Sequence, residues 1–237
     1  VAGAGVTPWP PRMSESDWPL SRRVRSLSEN PLEHDPMSEF EITPLNRVKR
    51  LPDRGHYDRE SIYPIVDAGL ICHVAFVIDN RPYVIPTLHA REGDTLLLHG
   101  ASTSRMLRHI AQGGEVCVTV THVDGLVLAK SVFNHSVNYR SAVLFGRGRL
   151  VEDESGKMAA LAAFTEKILP GRWADARLPN PIEMKATSVI AVDIESASAK
   201  IRTGPPHDDD ADLDLPVWVG VLPISQVAGA PIPAGYG

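Results

Sequence analysis

Between Leu70 and Val151 the chain breaks into short apolar and β-branched runs separated by turn-forming clusters, and this punctuation limits the available folds more than any other feature. Leu70 to Ile78, Tyr83 to Leu88 and Thr95 to His99 read as strands. The breaks between them, Asp79-Asn80-Arg81-Pro82 and Arg91-Glu92-Gly93-Asp94, are too short to cross a sheet, so the three are antiparallel neighbours. Val116 to Thr121, Leu126 to Phe133 and Ser141 to Val151 give three more, with Asp124-Gly125 read as a hairpin turn. Thr187 to Ile194 and Ala199 to Ile201 return to strand, and Val217 to Pro223 is strand-like. Helices are few. One starts at an Asp58 cap and runs to about Asp67, shortened or kinked by Pro64. Ser102 to Gln112 is a second, capped by Ser102 or Thr103 and ended by Gly113-Gly114. Asp153 to Leu169 is a third, with Met158, Leu161, Ala162, Phe164, Ile168 and Leu169 as its apolar stripe and Pro170-Gly171 as its stop. Strands do not alternate with helices, which excludes a doubly wound parallel sheet and leaves a mainly β barrel or sandwich with helical decoration.

The flanks differ from this core. Residues 1–45 hold Pro8, Pro10, Pro11, Pro19, Pro31, Pro36 and Pro44 without apolar periodicity, and read as an extended arm in which Trp9, Trp18 and Phe40 are the docking points. Such an arm can wrap a partner subunit. Residues 46–225 form the folded domain, in which the aspartate-rich stretch 207–214 reads as a solvated loop, and residues 226–237 read as a flexible tail. The 24 basic and 29 acidic residues leave a net charge of -5, which argues against nucleic-acid wrapping and against an anionic membrane surface. No apolar run approaches the roughly 20 residues of a bilayer span. Val1 to Pro11 has neither the basic nor the apolar part of a secretory leader. Cys72 and Cys117 are too few for a disulfide framework. Together these features set the expectation of a reduced, cytoplasmic protein.

Dinucleotide-binding, P-loop, zinc-protease, nucleophile-elbow and paired-cysteine motifs are absent from the sequence. The nine histidines are not at metal-ligand spacing, and His73, inside an apolar strand, reads as a core histidine bonded to backbone. One stretch stands out: Leu98-His99-Gly100-Ala101-Ser102-Thr103-Ser104-Arg105-Met106-Leu107-Arg108. A strand ends, a glycine turns the backbone, and three hydroxyls with two arginines gather where a helix begins, which is favourable for an anion. The alternative is plain capping beside two solvated arginines. The polar run Phe133 to Ser141 is either an ordinary loop or one wall of a site for a planar heteroaromatic ligand.

Taken in order, the strand pair around Pro82-Tyr83-Val84-Ile85-Pro86-Thr87, the strand ending His99-Gly100, the Ser104-Arg105 pair, the run Asn138 to Gly146, Lys185 to Val189, and Trp218-Val219-Gly220 resemble the pyridoxamine 5'-phosphate oxidase-like FMN-binding split barrels. Within them the chain is most similar to the nitroimidazole-resistance branch, over about Arg47 to Pro223. The resemblance implies a six-stranded, Greek-key split barrel that forms a homodimer with FMN at the subunit interface. It implies that Ser104 and Arg105 hold the flavin phosphate. Met106 stands where the oxidases have lysine, so Arg108 or Arg140 would supply that contact. It implies that Val84, Ile85, Pro86 and Thr87 border the isoalloxazine beside Gly100, that Tyr139, Arg140 and Ser141 reach the flavin from the partner, and that Trp218 covers the ring. His99 is then the candidate catalytic proton donor. The expected activity is an FMN-dependent oxidoreductase acting on a small molecule. The alternatives are a non-catalytic carrier or sensor of flavin, heme or deazaflavin, and an interaction module. The charged run that grips a vitamer phosphate in the oxidases is replaced by Val221-Leu222-Pro223-Ile224-Ser225, which argues against oxidation of pyridoxamine phosphate.

Overall fold

A computed structural model describes residues 39–235. Its eight strands form one antiparallel sheet: β1 (Gly55–His56), β2 (Ile71–Ile78), β3 (Arg81–Glu92), β4 (Thr95–Ala101), β5 (Gln112–Leu128), β6 (Ser136–Leu150), β7 (Thr187–Arg202) and β8 (Gly220–Pro223). Six of them are long, as the resemblance requires. They run in the order β7-β4-β3-β2-β5-β6, and β6 pairs again with β7 to close a barrel. The short β1 extends β7, and β8 adds to β5. At the β2–β3 hairpin Ile78 faces Arg81, and Asp79 and Asn80 take φ of 50° and 58°. Two left-handed central residues give the turn whose twist matches that of the strands, and aspartate and asparagine tolerate that backbone.

Five helices decorate the barrel. Asp58 caps α1 (Arg59–Ala68), its carboxylate accepting from the Ser61 N–H at 2.7 Å. Helix α2 (Arg105–Ala111) follows β4. Helix α3 (Glu154–Ile168) is capped by Asp153, and α4 (Arg172–Asp175) and α5 (Pro181–Ala186) lead into β7. Ile62, Ile65 and Val66 of α1 and Leu107 and Ile110 of α2 pack with Val74, Phe76, Leu98, Val118, Leu144 and Ile190 in the main core. Helix α3 covers the outside instead, setting Ala160 and Phe164 on Ala90, Leu97, Val189 and Ala191. Of its anticipated stripe only Phe164 is fully buried, and Ile168 is 55% exposed, because the helix meets the barrel along a narrow seam.

Several local expectations are corrected. Strand β5 runs straight through Asp124-Gly125, a dipeptide that reads as a hairpin turn in the sequence. Its register against β6 slips between Val123 and Gly125, so the pair forms a bulge. Strands β6 and β8 both pair there, which gives the backbone partners that a turn would supply internally. The true β5–β6 connection holds a 3-10 turn at Val132–Asn134. The Asp208 carboxylate accepts from the Lys130 and Ser131 N–H groups at 2.8 and 3.2 Å, so the acidic stretch also has a structural anchor. The two pieces anticipated after α5 are one strand, β7. Its register against β6 slips at Phe145/Gly146, and a Cβ on Gly146 would collide with the Asp193 carbonyl oxygen. His73 is exposed, not core, because alternate residues of β2 point outward. The buried histidine is His89, 1% exposed, whose Nε2 lies 2.8 Å from the Val66 carbonyl and 2.9 Å from Lys167 Nζ.

Phe40 is buried in the main core and its N–H donates to the Tyr57 carbonyl, so the barrel takes in the end of the anticipated arm. Trp9 and Trp18, and with them the proposed wrapping of a partner, lie outside the described residues. Residues 226–235 form no helix or strand. Among the described residues no helix is long and apolar enough to cross a membrane, and no group of three histidine, cysteine or carboxylate side chains could hold a metal ion.

Candidate functional site

The barrel is not sealed between β3 and β4. These strands pair only over His89–Glu92 and Thr95–Leu98. Beyond that, β4 continues along β7 to Ala101 while β3 pairs with β2 alone. An opening results, bordered by Val84 to Leu88 on one side and His99 to Ala101 on the other. The register opposes Pro82 to Val77 and Pro86 to His73. A proline cannot donate to an antiparallel partner, so residues 82, 84, 86 and 88 are the ones whose backbone turns away from β2. Of the first three, only Val84 carries an N–H. Val84 and Pro86 are exposed, and Thr87 is half-buried; the intervening Ile85 packs against the core.

Helix α2 begins at the mouth of this opening. Ser104 is the residue that caps it, not Ser102 or Thr103: its Oγ accepts from the Leu107 N–H at 3.4 Å, and its φ of −59° and ψ of 124° are non-helical. Arg108 Nε donates to the Ser102 carbonyl at 3.1 Å. Met106 is 4% exposed and belongs to the core, so its side chain is turned away from the opening. A Cβ on Gly100 would sit 3.3 Å from Leu107, which keeps strand and helix close.

Arg105 is the exception in this segment. It is exposed, and its guanidinium carbon lies 4.0 Å from the centroid of the Tyr83 ring. Tyr83 in turn stacks on Phe76 at 5.5 Å and 20°, and Phe76 faces His109 at 5.5 Å. The guanidinium is thus held in place by stacking while it makes no hydrogen bond or ion pair with another described residue. Tyr83 has no sequence signal of its own. Only the inward phase of β3 and the position of α2 bring it beneath the arginine.

His99 points outward from β4 opposite Val189, under α3, with its ring centroid 4.2 Å from that of Phe164. Its Nδ1 is buried without a partner, and neither ring nitrogen is hydrogen-bonded among the described residues. Burial pushes its pKa below the ordinary histidine value, so the ring is neutral near pH 7.

Tyr139, Arg140, Ser141 and Trp218 are not gathered around this opening. In the ring of strands β6 is separated from β3 by β2 and β5 one way and by β7 and β4 the other. Arg140 is not a free cation. Its Nε and Nη2 donate to the Asp124 carboxylate at 2.9 and 2.8 Å, and that contact raises its pKa further. Ser141 Oγ lies 3.0 Å from Thr121 Oγ1. Trp218 precedes β8 and is 65% exposed.

The barrel bears two grooves that share Phe145. One, of ≈ 560 Å³, runs past Val77, Val84, His109, Cys117 and Arg147. The other, of ≈ 390 Å³, lies between the outer face of β6 and β7 and the segment 45–50.

A family model described as pyridoxamine 5'-phosphate oxidase matches residues 58–201. The flavocytochrome Anf3 from Azotobacter vinelandii is 38% identical, with 81% of this chain and 90% of that one covered and a TM-score of 0.76. A FAD and heme binding protein from Mycobacterium smegmatis is 36% identical, with 77% and 89% covered and a TM-score of 0.73. A Bacteroides thetaiotaomicron protein named for 5-nitroimidazole antibiotic resistance is 22% identical, with 62% and 86% covered and a TM-score of 0.54, and supports the fold alone. A search of curated proteins found no match.

Proposed function

The chain belongs to the pyridoxamine 5'-phosphate oxidase family, and on that footing we propose that it binds a flavin at the β3–β4 opening and moves electrons or hydride between that flavin and a small molecule. The observation that carries this reading is Arg105. A stacked arginine with all its donors free suits a phosphate, because its planar fork can make two parallel charge-assisted bonds. The rest of the opening fits a flavin as well. The Val84 N–H and the neighbouring carbonyls can meet the polar edge of a planar ring, and the exposed Val84 and Pro86 side chains border it. A bound flavin supplies one- and two-electron redox chemistry, so the protein's part is to bind, orient and exclude water.

We take the flavin to be FAD and not FMN, after the name of the Mycobacterium smegmatis relative. Tyr139, Ser141 and Trp218 come from a second copy in this reading, since the barrel topology keeps them from their own opening. Arg140 positions the start of β6 through Asp124 and does not bind phosphate. Pyridoxamine phosphate is not the substrate proposed, because β8 carries no cation to meet it.

Heme is a second cofactor that one observation favours. A neutral imidazole without a hydrogen-bond partner, against an aromatic ring, is a ready iron ligand, and His99 has that character. The two relatives reported above at 38% and 36% identity carry heme or cytochrome in their names. This reading replaces the proton-donor role for His99, since a group held neutral is a weak acid source at pH 7. The test is the visible spectrum of the purified protein before and after FAD or FMN loading and desalting. Retained flavin bands support the first reading, and a protein that holds neither flavin overturns it. A Soret band that His99→Ala removes while the flavin bands persist supports the second, and a Soret band unchanged in that variant removes His99 as the ligand.

A further inference from the structure

The segment Arg47-Val48-Lys49-Arg50 is fixed with unusual care for an exposed stretch. Asn46, 3% exposed, donates from Nδ2 to the carbonyls of Glu41 at 2.9 Å and Ala197 at 3.0 Å, and its Oδ1 accepts from the Thr43 N–H at 2.8 Å. Tyr57 Oη accepts from the Val48 N–H at 2.9 Å, and Lys200 Nζ donates to the Arg50 carbonyl at 2.7 Å. These bonds hold the backbone and leave the charges free. Arg47, Lys49 and Arg50 are exposed, and their side chains make no ion pair with a described residue. With Lys200 they bring four cations to the ≈ 390 Å³ groove, whose lining contains no carboxylate. Its floor is Tyr139, Ser141 and Ser198, with Phe145 leading into the second groove.

We infer that this groove binds the adenylate (AMP) portion of FAD, the part by which FAD exceeds FMN; the inference rests on the flavin reading above. Three exposed cations on a rigid loop, with the Lys200 ammonium of β7 beside them, suit the adenylate phosphate. Tyr139 and Phe145 offer aromatic surface for a base, and Ser141 and Ser198 offer hydroxyls for its edge or for the ribose. The volume falls within the roughly 300–1,000 Å³ of small-ligand sites. Because Tyr139 and Ser141 belong to the copy opposite the flavin, a flavin held by Arg105 of one copy runs into the basic groove of the other. The same chemistry would suit a nicotinamide dinucleotide, and occupancy separates the two sources.

The experiment titrates FMN, FAD and ADP into the full chain and into the Arg47→Ala/Arg50→Ala double variant, with circular dichroism to check folding. The charge-reversal variant Arg50→Glu serves as a second variant. The expected result is that FAD binds the unmodified chain about tenfold or more tightly than FMN, the scale of removing one charge-assisted hydrogen bond. Both variants bring FAD down to the affinity of FMN, leave FMN unchanged and abolish ADP binding. FAD-loaded protein no longer takes ADP. Equal losses for FMN and FAD, or no loss for either, overturn the inference, as does FAD-loaded protein that still binds ADP, which makes the groove a dinucleotide substrate site. A chain that binds ADP through Arg47 and Arg50 but holds no flavin refutes the flavin reading and keeps the groove as an adenylate site.

Discussion

Replacing Arg105 separates binding from folding in a way few substitutions here can. In the folded chain its only described contact is the Tyr83 ring at 4.0 Å. An exposed cation–π contact is worth about 0.5–1 kcal/mol, so Arg105→Ala should lower unfolding free energy by no more than that. Removing a guanidinium–phosphate bond from a partly covered site costs about 1.5–3 kcal/mol, which weakens binding about 10- to 150-fold. The assay is quenching of flavin fluorescence on titration into apoprotein, run beside urea unfolding of the same preparation. Arg105→Lys keeps the charge but loses the fork and the stack, and should fall between the two. Tyr83→Leu frees the arginine, so it should weaken flavin binding in the parent and have little further effect once Arg105 is alanine. An Arg105→Ala protein that binds flavin within about twofold of the parent refutes the phosphate role. A stability loss above about 2 kcal/mol refutes the premise that the side chain is otherwise unengaged.

His89 makes stability depend on acidity in a defined window. Burial, then the nearby Lys167 charge, lowers its pKa from 6.5 to about 4. The unfolded chain therefore takes up a proton that the folded one refuses. Stability should be intact above pH 6.5, fall by on the order of 3 kcal/mol between pH 6.5 and 4, and show no further His89 slope below that. His89→Gln, which keeps a donor for the Val66 carbonyl, should flatten this slope in denaturant titrations, and an unchanged slope assigns it elsewhere. Asn80→Gly relieves a side chain at φ 58° in the β2–β3 turn and should raise stability by about 0.5–1 kcal/mol, read as a higher melting temperature; a lower one would show that the asparagine side chain stabilises the turn.

The parts of the fold legible in the sequence are those set by local chemistry. Asp58 and Asp153 sit one residue before their helices, and Asp79-Asn80 makes the turn that the neighbouring apolar runs require. The errors come from features whose meaning depends on distant partners. Asp124-Gly125 fits a hairpin and a bulge equally well, and only the pairing of β6 and β8 on either edge decides for the bulge. His73 and His89 both lie in apolar surroundings along the chain, and the phase of the strands alone decides that the first faces out and the second in. In the site, the segment Ser102 to Arg108 is visible from the sequence as an anion-binding candidate, yet the roles within it are not. Ser104 is the cap, Met106 joins the core, and Arg105 is the free cation only because Tyr83 lies beneath it. Arg140 reads as an unengaged cation in the sequence for the same reason, since its partner Asp124 lies across the β5–β6 ladder.

The two prolines of β3 have a consequence for the protein before it meets any ligand. An open strand edge with a regular row of donors and acceptors recruits whatever strand drifts past, including the same edge of another copy. Residues 82 and 86 offer that visitor no donor, and leave Val84 as a single isolated N–H between two gaps. A new strand would find its ladder interrupted at every second rung it needed from this side. The opening therefore stays available to a molecule that wants one bond and a flat surface, and is closed to one that wants a continuous seam. The same two residues that shape the slot also protect the newly made chain from zipping shut or aggregating along it.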